Sequence, residues 1–177
     1  MANILVPLRP ALAVFKDVDF PKHRIENGAS GGFSVELLEF TDGVTQRAYW
    51  LFRNSQLASA TVSTLKVSFD WYAENATSGN VVWEAALAAY TPETDSADFL
   101  TITTWDKTQT VTDGHLGTTS KRVMRATTAE MATFSGILAG DLTIVRLSRL
   151  GADASDTMSN AAMLVFAQMT YAPVLVE

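Results

Sequence analysis

The chain has 177 residues, enough for one domain with a sizeable core, and 47% of them are hydrophobic. Charged residues make up only 18%, against about 25% in ordinary globular chains, and the net charge is -6, which argues against a protein that grips nucleic acid through its phosphates. Cysteine is absent, so thiol catalysis, disulfide staples and cysteine zinc sites are all excluded.

The opening MANILVPLRPALAVF has Pro7 and Pro10 breaking its apolar run and no basic stretch ahead of it. It is read as neither a signal peptide nor a membrane span, so synthesis in a cytoplasm without export is the expectation. Residues 1–30 are expected to form an extended N-terminal arm or connector, with Asn3 to Pro7 as a short strand and a polar run through Lys22, His23, Arg24 and Glu26 ending in a glycine-serine turn. Residues 31–177 are expected to form a β-sandwich domain.

From Phe33 the period of two persists. Phe33, Val35 and Leu37 alternate with Ser34 and Glu36, then Ala48, Trp50 and Phe52 share a face after a turn at Thr41 to Gly43. Asn54 to Ala60 reads as a small-residue connector. The clearest stretch runs from Thr64 to Tyr90. Leu65, Val67, Phe69 and Trp71 lie on one side of an extended chain, and Val81, Trp83, Ala85, Leu87 and Ala89 share a face after the turn formers Glu74 to Gly79. This pattern predicts a β-hairpin that sends two tryptophans into one core. Thr91 to Asp98 is a surface loop, Thr101 to Trp105 and Gln109 to Val111 are short threonine-rich strands, and Lys121 to Thr127 is another strand. Met131, Phe134 and Leu138 recur at helical spacing, which predicts a short helix over Thr128 to Leu138, with Thr128 as N-cap and Gly140 as terminator. Leu142 to Arg149 returns to strand, and Gly151 to Asn160 reads as a second long hairpin loop. Ala161 to Ala167 is apolar on both faces, as in a strand central in its sheet or covered by a neighbouring subunit. The expected fold is therefore all-β, a jelly-roll-like β-sandwich with at most one short helix.

Candidate chemistry is sparse. His23 and His115 are the only histidines, and no Gly-x-Ser-x-Gly elbow accompanies them. Glu84, Glu93, Asp95 and Asp98 are candidates for a glycosidase pair, but they are read as solvated acids that keep a loop soluble and strand edges unpaired. The loops Asp95 to Asp98 and Asp153 to Asp156 offer two carboxylates each, short of a calcium loop. Asn75-Ala76-Thr77 matches a glycosylation acceptor that has no use without export. Trp50, Trp71 and Trp83 fall on apolar faces and are assigned to the core, which leaves Trp105, between Thr103-Thr104 and Asp106-Lys107, as the aromatic for an exposed binding patch. Lys121, Arg122, Arg125, Arg146 and Arg149 lie on strands and are expected to pair with carboxylates across a contact. The residue pattern thus assigns no catalytic, cofactor or metal residues, and no enzyme activity.

Three segments carry a resemblance: WYAENATSGNVVWEAALAAYTPETDSADF from Trp71, TQTVTDGHLGTTSKRVMRAT from Thr108, and LAGDLTIVRLSRLGADASDTMSNAAMLVFAQMTY from Leu138. Together they resemble small β-sandwich proteins found in tailed-bacteriophage genomes and phage-like contigs among virion structural genes. The likeness spans Ala48 to Tyr171 and rests on structural motifs, so no site residues carry over. It implies a virion component made in the host cytoplasm. The favoured expectation is a capsid decoration (cement) protein, a homo-oligomer, guessed to be a trimer, that bridges neighbouring copies of the major capsid protein. Its alternatives are a tail, baseplate or fibre-tip protein that binds glycans, and a carbohydrate-active module. No cofactor, nucleic acid or membrane partner is expected.

Overall fold

Eleven strands and two three-residue 3-10 turns account for the regular structure of the computed structural model, which describes residues 3–28, 30–53, 62–75, 77–96, 98–134 and 140–173. In chain order the strands are β1 (Ile4–Leu8), β2 (Lys22–Asn27), β3 (Ser34–Phe40), β4 (Thr45–Arg53), β5 (Val62–Ala73), β6 (Asn80–Tyr90), β7 (Lys107–Gly114), β8 (Met124–Thr127), β9 (Met131–Phe134), β10 (Leu142–Leu150) and β11 (Ala162–Pro173). The 3-10 turns are Pro10–Leu12 and Phe99–Thr101. No helix among the described residues is long and apolar enough to cross a membrane.

All pairings are antiparallel and fall into two sheets. One runs β2-β3-β11-β5-β8, with β1 also on β11 and β9 also on β5; the other runs β4-β10-β6-β7. The chain crosses between sheets from β3 to β4, β4 to β5, β5 to β6, β7 to β8, β9 to β10 and β10 to β11. This exchange gives the jelly roll that the alternating sequence predicted. β11 is central in its sheet. Its outward Met163 packs with Leu37 and Tyr72 in a small cluster outside the main core, and a register shift between Leu164 and Phe166 changes which of its residues face inward. That accounts for a strand apolar on both faces.

The main core lies between the sheets and is centred on Trp83. Its ring lies 5.4 Å from Phe69 at 14°, 5.3 Å from Phe40 at 86° and 6.2 Å from Trp71 at 63°. These contacts correct the hairpin expected over 64–90. β5 and β6 belong to opposite sheets and stack face to face, so residues 74–79 form a corner between sheets. Alternation tells which face of a strand is apolar, and two apolar faces can meet either beside or above one another. The 151–160 segment is likewise a corner, from β10 to β11.

The two corners pack side by side. Asn80 accepts the Thr157 and Met158 N–H groups through its carbonyl, at 2.9 and 3.0 Å, and donates its own N–H to Thr157 Oγ1. Gly79, at φ +102°, lies so close that a Cβ would sit 2.9 Å from the Met158 Cα and the Thr157 carbonyl. Beneath them Arg149 is fully buried, although the sequence placed it at a subunit contact. It continues the inward phase of Thr143, Val145 and Leu147. Its guanidinium donates to both Asp156 carboxylate oxygens at 2.8 and 3.0 Å and to the carbonyls of Phe40, Asn160 and Met158 at 3.1, 2.7 and 2.6 Å.

Two further expectations are corrected. Of the helix expected over 128–138, residues 128–130 are irregular and 131–134 are strand: β9 pairs Leu65 with Met131 and Val62 with Phe134. Thr128, instead of capping a helix, is buried and accepts the Val67 N–H at 3.0 Å, while its own N–H donates to the Val67 carbonyl. Tertiary pairing overrides a helical spacing of three apolar residues. Residues 135–139 lie outside the described residues, as do the connector over 54–60 and Ala76 of the Asn-Ala-Thr triplet.

The domain boundary at residue 30 also dissolves. β1 pairs Ile4–Leu8 with Ala167–Tyr171 of β11, Leu8 and Pro10 are buried, and the Arg9 carbonyl accepts the Trp50 Nε1–H at 2.8 Å. Val14 exchanges both backbone hydrogen bonds with Tyr49, and the Asp19 carbonyl accepts the Arg47 N–H. The expected arm therefore packs on its own domain: its short strand is present as β1 of the larger sheet, and the rest is a strap along the outer edge of β4, where an open edge would otherwise invite pairing. β2, polar in sequence, is a strand because it pairs with β3 and Arg24 bridges Glu39 and Glu74 at 3.0 and 2.9 Å.

Candidate functional site

The residues singled out for catalysis are not brought together. His23 is exposed on β2. His115 follows β7, its N–H donates to the Gly79 carbonyl, and both of its ring nitrogens are buried without a hydrogen-bond partner. Glu84 points outward from β6 and pairs with Arg146 at 2.7 Å. Asp95 accepts the Thr91 N–H, Asp98 accepts the Leu100 N–H, and Glu93 sits at positive φ in the same loop. Asp156 is committed to Arg149 and to the Val82 N–H, and Asp153 accepts the Ser155 N–H. Among the described residues no three histidine or acid side chains form a group that could hold a metal ion. Of the basic residues expected at a contact, Arg125 instead pairs bidentately with Asp70 and Lys121 pairs with Glu26, both within the chain.

Trp105 is the exception. Trp50, Trp71 and Trp83 are buried as the alternation requires, whereas Trp105 lies half-buried on the outer face of the four-stranded sheet. The segment carrying it, read from sequence as a strand, is irregular over 102–106. It is tied to β6 by the Asp106 N–H donating to the Leu87 carbonyl and by the Ala89 N–H donating to the Asp106 carboxylate. On the sheet beneath, register places Tyr49 beside Arg146 and Arg47 beside Ser148, all outward. The Trp105 indole stacks on Tyr49 at 6.3 Å and 30°, the Arg146 guanidinium carbon lies 4.4 Å from the indole centroid, and Lys16 Nζ lies 5.8 Å over the Tyr49 ring. Burial holds the Tyr49 phenol above its ordinary value, while Arg146 and Arg47 pull the other way.

Trp105 separates two grooves. One, of about 330 Å³, is lined by the cations Lys16, Arg47 and Arg146 around Asp19 and Thr103, with Val18 and Ile102 beside them. The other, of about 210 Å³, is apolar, between Val14, Phe15, Leu51, Phe99 and Leu100. Sequence reasoning reached Trp105, singled out Arg146 only as a partner for a carboxylate, and missed Lys16, Arg47 and Tyr49. Tyr49 was legible as the outward neighbour of inward Trp50, but nothing local joins residues 16, 49, 105 and 146.

The opposite outer face, on the seven-stranded sheet, carries a different feature. Phe33 is 81% exposed and Val123 59% exposed, and with Val35 and Val165 they line a trough of about 440 Å³ whose rim holds Glu26, Tyr72 and Lys121. Glu26 accepts hydrogen bonds from Lys121 Nζ and the Tyr72 O–H. The Lys121 bond first, and the Tyr72 bond second, hold its carboxyl below the ordinary 4.5; burial, then the bond to Glu26, pushes the Tyr72 phenol well above its ordinary range. A carboxyl whose folded value is depressed stabilises the fold above its unfolded value, and that contribution is lost as the pH falls through the folded one. Stability is therefore expected to drop as the pH falls below about 4.5, and Glu26→Gln to flatten that slope. Urea unfolding at stepped pH checks this. Parallel slopes for the two proteins would remove Glu26 from the account.

No family model matches the chain, and no curated protein matches it. Among solved structures, a family 35 carbohydrate binding module from Clostridium thermocellum is similar at a TM-score of 0.47 and 12% identity, over 94% of this chain and 97% of that one. A likeness this distant says nothing about what this chain binds.

Proposed function

We propose that the chain is a non-catalytic structural protein of a bacteriophage virion, made in the host cytoplasm. It decorates the capsid as a homo-oligomer, a trimer at a threefold site, and docks through the outer face of the seven-stranded sheet. The observation that carries this reading is the trough at Phe33. A phenylalanine 81% exposed beside Val123, Val35 and Val165 is the kind of apolar patch that marks a protein contact. The phage-type motifs over 71–171 and the low charge content support the setting. A partner that binds only the assembled shell stabilises it by mass action, by about 2.7 kcal/mol at a hundredfold excess over Kd.

Phe33→Glu is the direct test. Because the side chain is exposed, the substitution is expected to leave stability within about 0.5 kcal/mol while abolishing co-sedimentation with expanded capsids and self-association at high concentration. A wild-type chain that stays monomeric and does not pellet with capsids overturns the proposal. A second reading, a tail or fibre-tip protein, is favoured by the Trp105 grooves, which lie on the face turned away from the trough. A tail-fibre gene beside this one, in place of a major capsid gene, would move the assignment there.

A further inference from the structure

We infer that the cation-lined groove beside Trp105 is a binding site for a carboxylate-bearing sugar. The pyranose lies against the indole, and its acid group sits between Lys16 and Arg47. The proposal stands on the groove alone and holds whether the chain serves on a head or a tail.

Charge comes first. In a chain of net charge -6, three cations, Lys16, Arg47 and Arg146, line one groove. The Arg146 charge is met by Glu84 at 2.7 Å. Lys16 and Arg47 make no ion pair among the described residues, although Asp19 lines the same groove. Two uncompensated cations and one acid favour a ligand with a single negative charge. A polyanion would meet both Asp19 and the long-range repulsion of an acidic protein.

Shape and polarity come second. The groove, at about 330 Å³, falls in the range of small-molecule sites. Its aromatic wall suits the C–H face of a sugar ring better than a bare inorganic anion. The Thr103 hydroxyl and the Asp19 carboxylate offer partners to ring hydroxyls. Past the indole, the apolar groove between Phe15, Leu51 and Phe99 can take a nonpolar substituent such as an N-acyl methyl.

The test titrates the full chain by saturation-transfer NMR with two matched pairs, glucuronate against glucose and galacturonate against galactose. Inorganic phosphate and a glutamate-rich peptide serve as competitors. Each acid is expected to bind at least tenfold more tightly than its neutral counterpart and to weaken as salt screens the cations. The Lys16→Gln/Arg47→Gln pair, on exposed and half-exposed positions, is expected to remove that preference. Trp105→Ala is expected to remove binding of both sugars, and Lys22→Gln, on the other sheet, to change nothing. Equal binding of acid and neutral sugars, an unaltered preference in the double variant, tighter binding of phosphate or of the peptide, or no binding at millimolar ligand each overturns the proposal. Capsid co-sedimentation of Phe33→Glu is read independently, so failure of one assignment is distinguishable from failure of the other.

Discussion

Replacing Arg149 by methionine is expected to cost roughly 3–5 kcal/mol, the range for breaking a buried ion pair from one side. The substitution keeps an unbranched chain of similar length in the core but strips the partner from Asp156, whose carboxylate is as fully buried as the guanidinium it holds. It also frees the Phe40, Asn160 and Met158 carbonyls, which converge on one side chain from β3 and from the corner over 151–160. At about 2–4 °C per kcal/mol for a chain of this size, the melting temperature should fall by roughly 6–20 °C in calorimetry. The penalty comes from the stranded carboxylate, so Arg149→Met combined with Asp156→Leu should recover a large part of the loss. A single substitution costing less than about 1 kcal/mol would show that the corner is held by its backbone hydrogen bonds alone.

Removing residues 1–12 is the second large effect. Leu8 is 1% exposed, and loss of a buried leucine costs about 2–5 kcal/mol. Trp50 Nε1 would lose its acceptor on Arg9, a further ~1–3 kcal/mol if the indole stays buried. Against a total stability of about 5–15 kcal/mol these losses are severe. They also bare the β11 edge at Ala167–Tyr171, a template for pairing with other chains. The truncated chain is expected to be insoluble or largely unfolded, as judged by soluble yield, circular dichroism and limited proteolysis. A truncated chain that melts like the parent but no longer associates would make the segment a contact element after all.

Strand content was legible because alternation is local. Phe69, Trp71 and Trp83 announced their inward faces within a few residues, and so did the phase of Thr143, Val145 and Leu147, which carries Arg149 inward with it. Partnership was not legible. Whether β5 lies beside β6 or over it depends on their partners β11 and β10, far along the chain, and no local period encodes that choice. Lys22 to Asn27 reads as loop because its charges have no visible reason to be in a sheet; the reason is Glu39 and Glu74, reached only after folding. The Trp105 site escaped for the same cause, since its cations and its second ring come from three distant segments.

The place of β11 bears on how the chain can be made. It follows every other strand among the described residues in chain order, yet it forms the middle of the larger sheet, with β5 on one edge and β3 and β1 on the other. Until β11 emerges, β3 with β2 on one side, and β5 with β8 and β9 on the other, have no strand to join them, and β1 lacks its partner. Vectorial synthesis therefore offers this fold no early N-terminal subdomain, and sheet closure is a late event that depends on contacts distant in sequence. Until β11 arrives, the apolar faces of Leu65, Val67 and Phe69 are covered only by what the nascent chain can improvise. This makes the unfinished polypeptide, more than the completed one, the species most exposed to aggregation and most dependent on a holding chaperone.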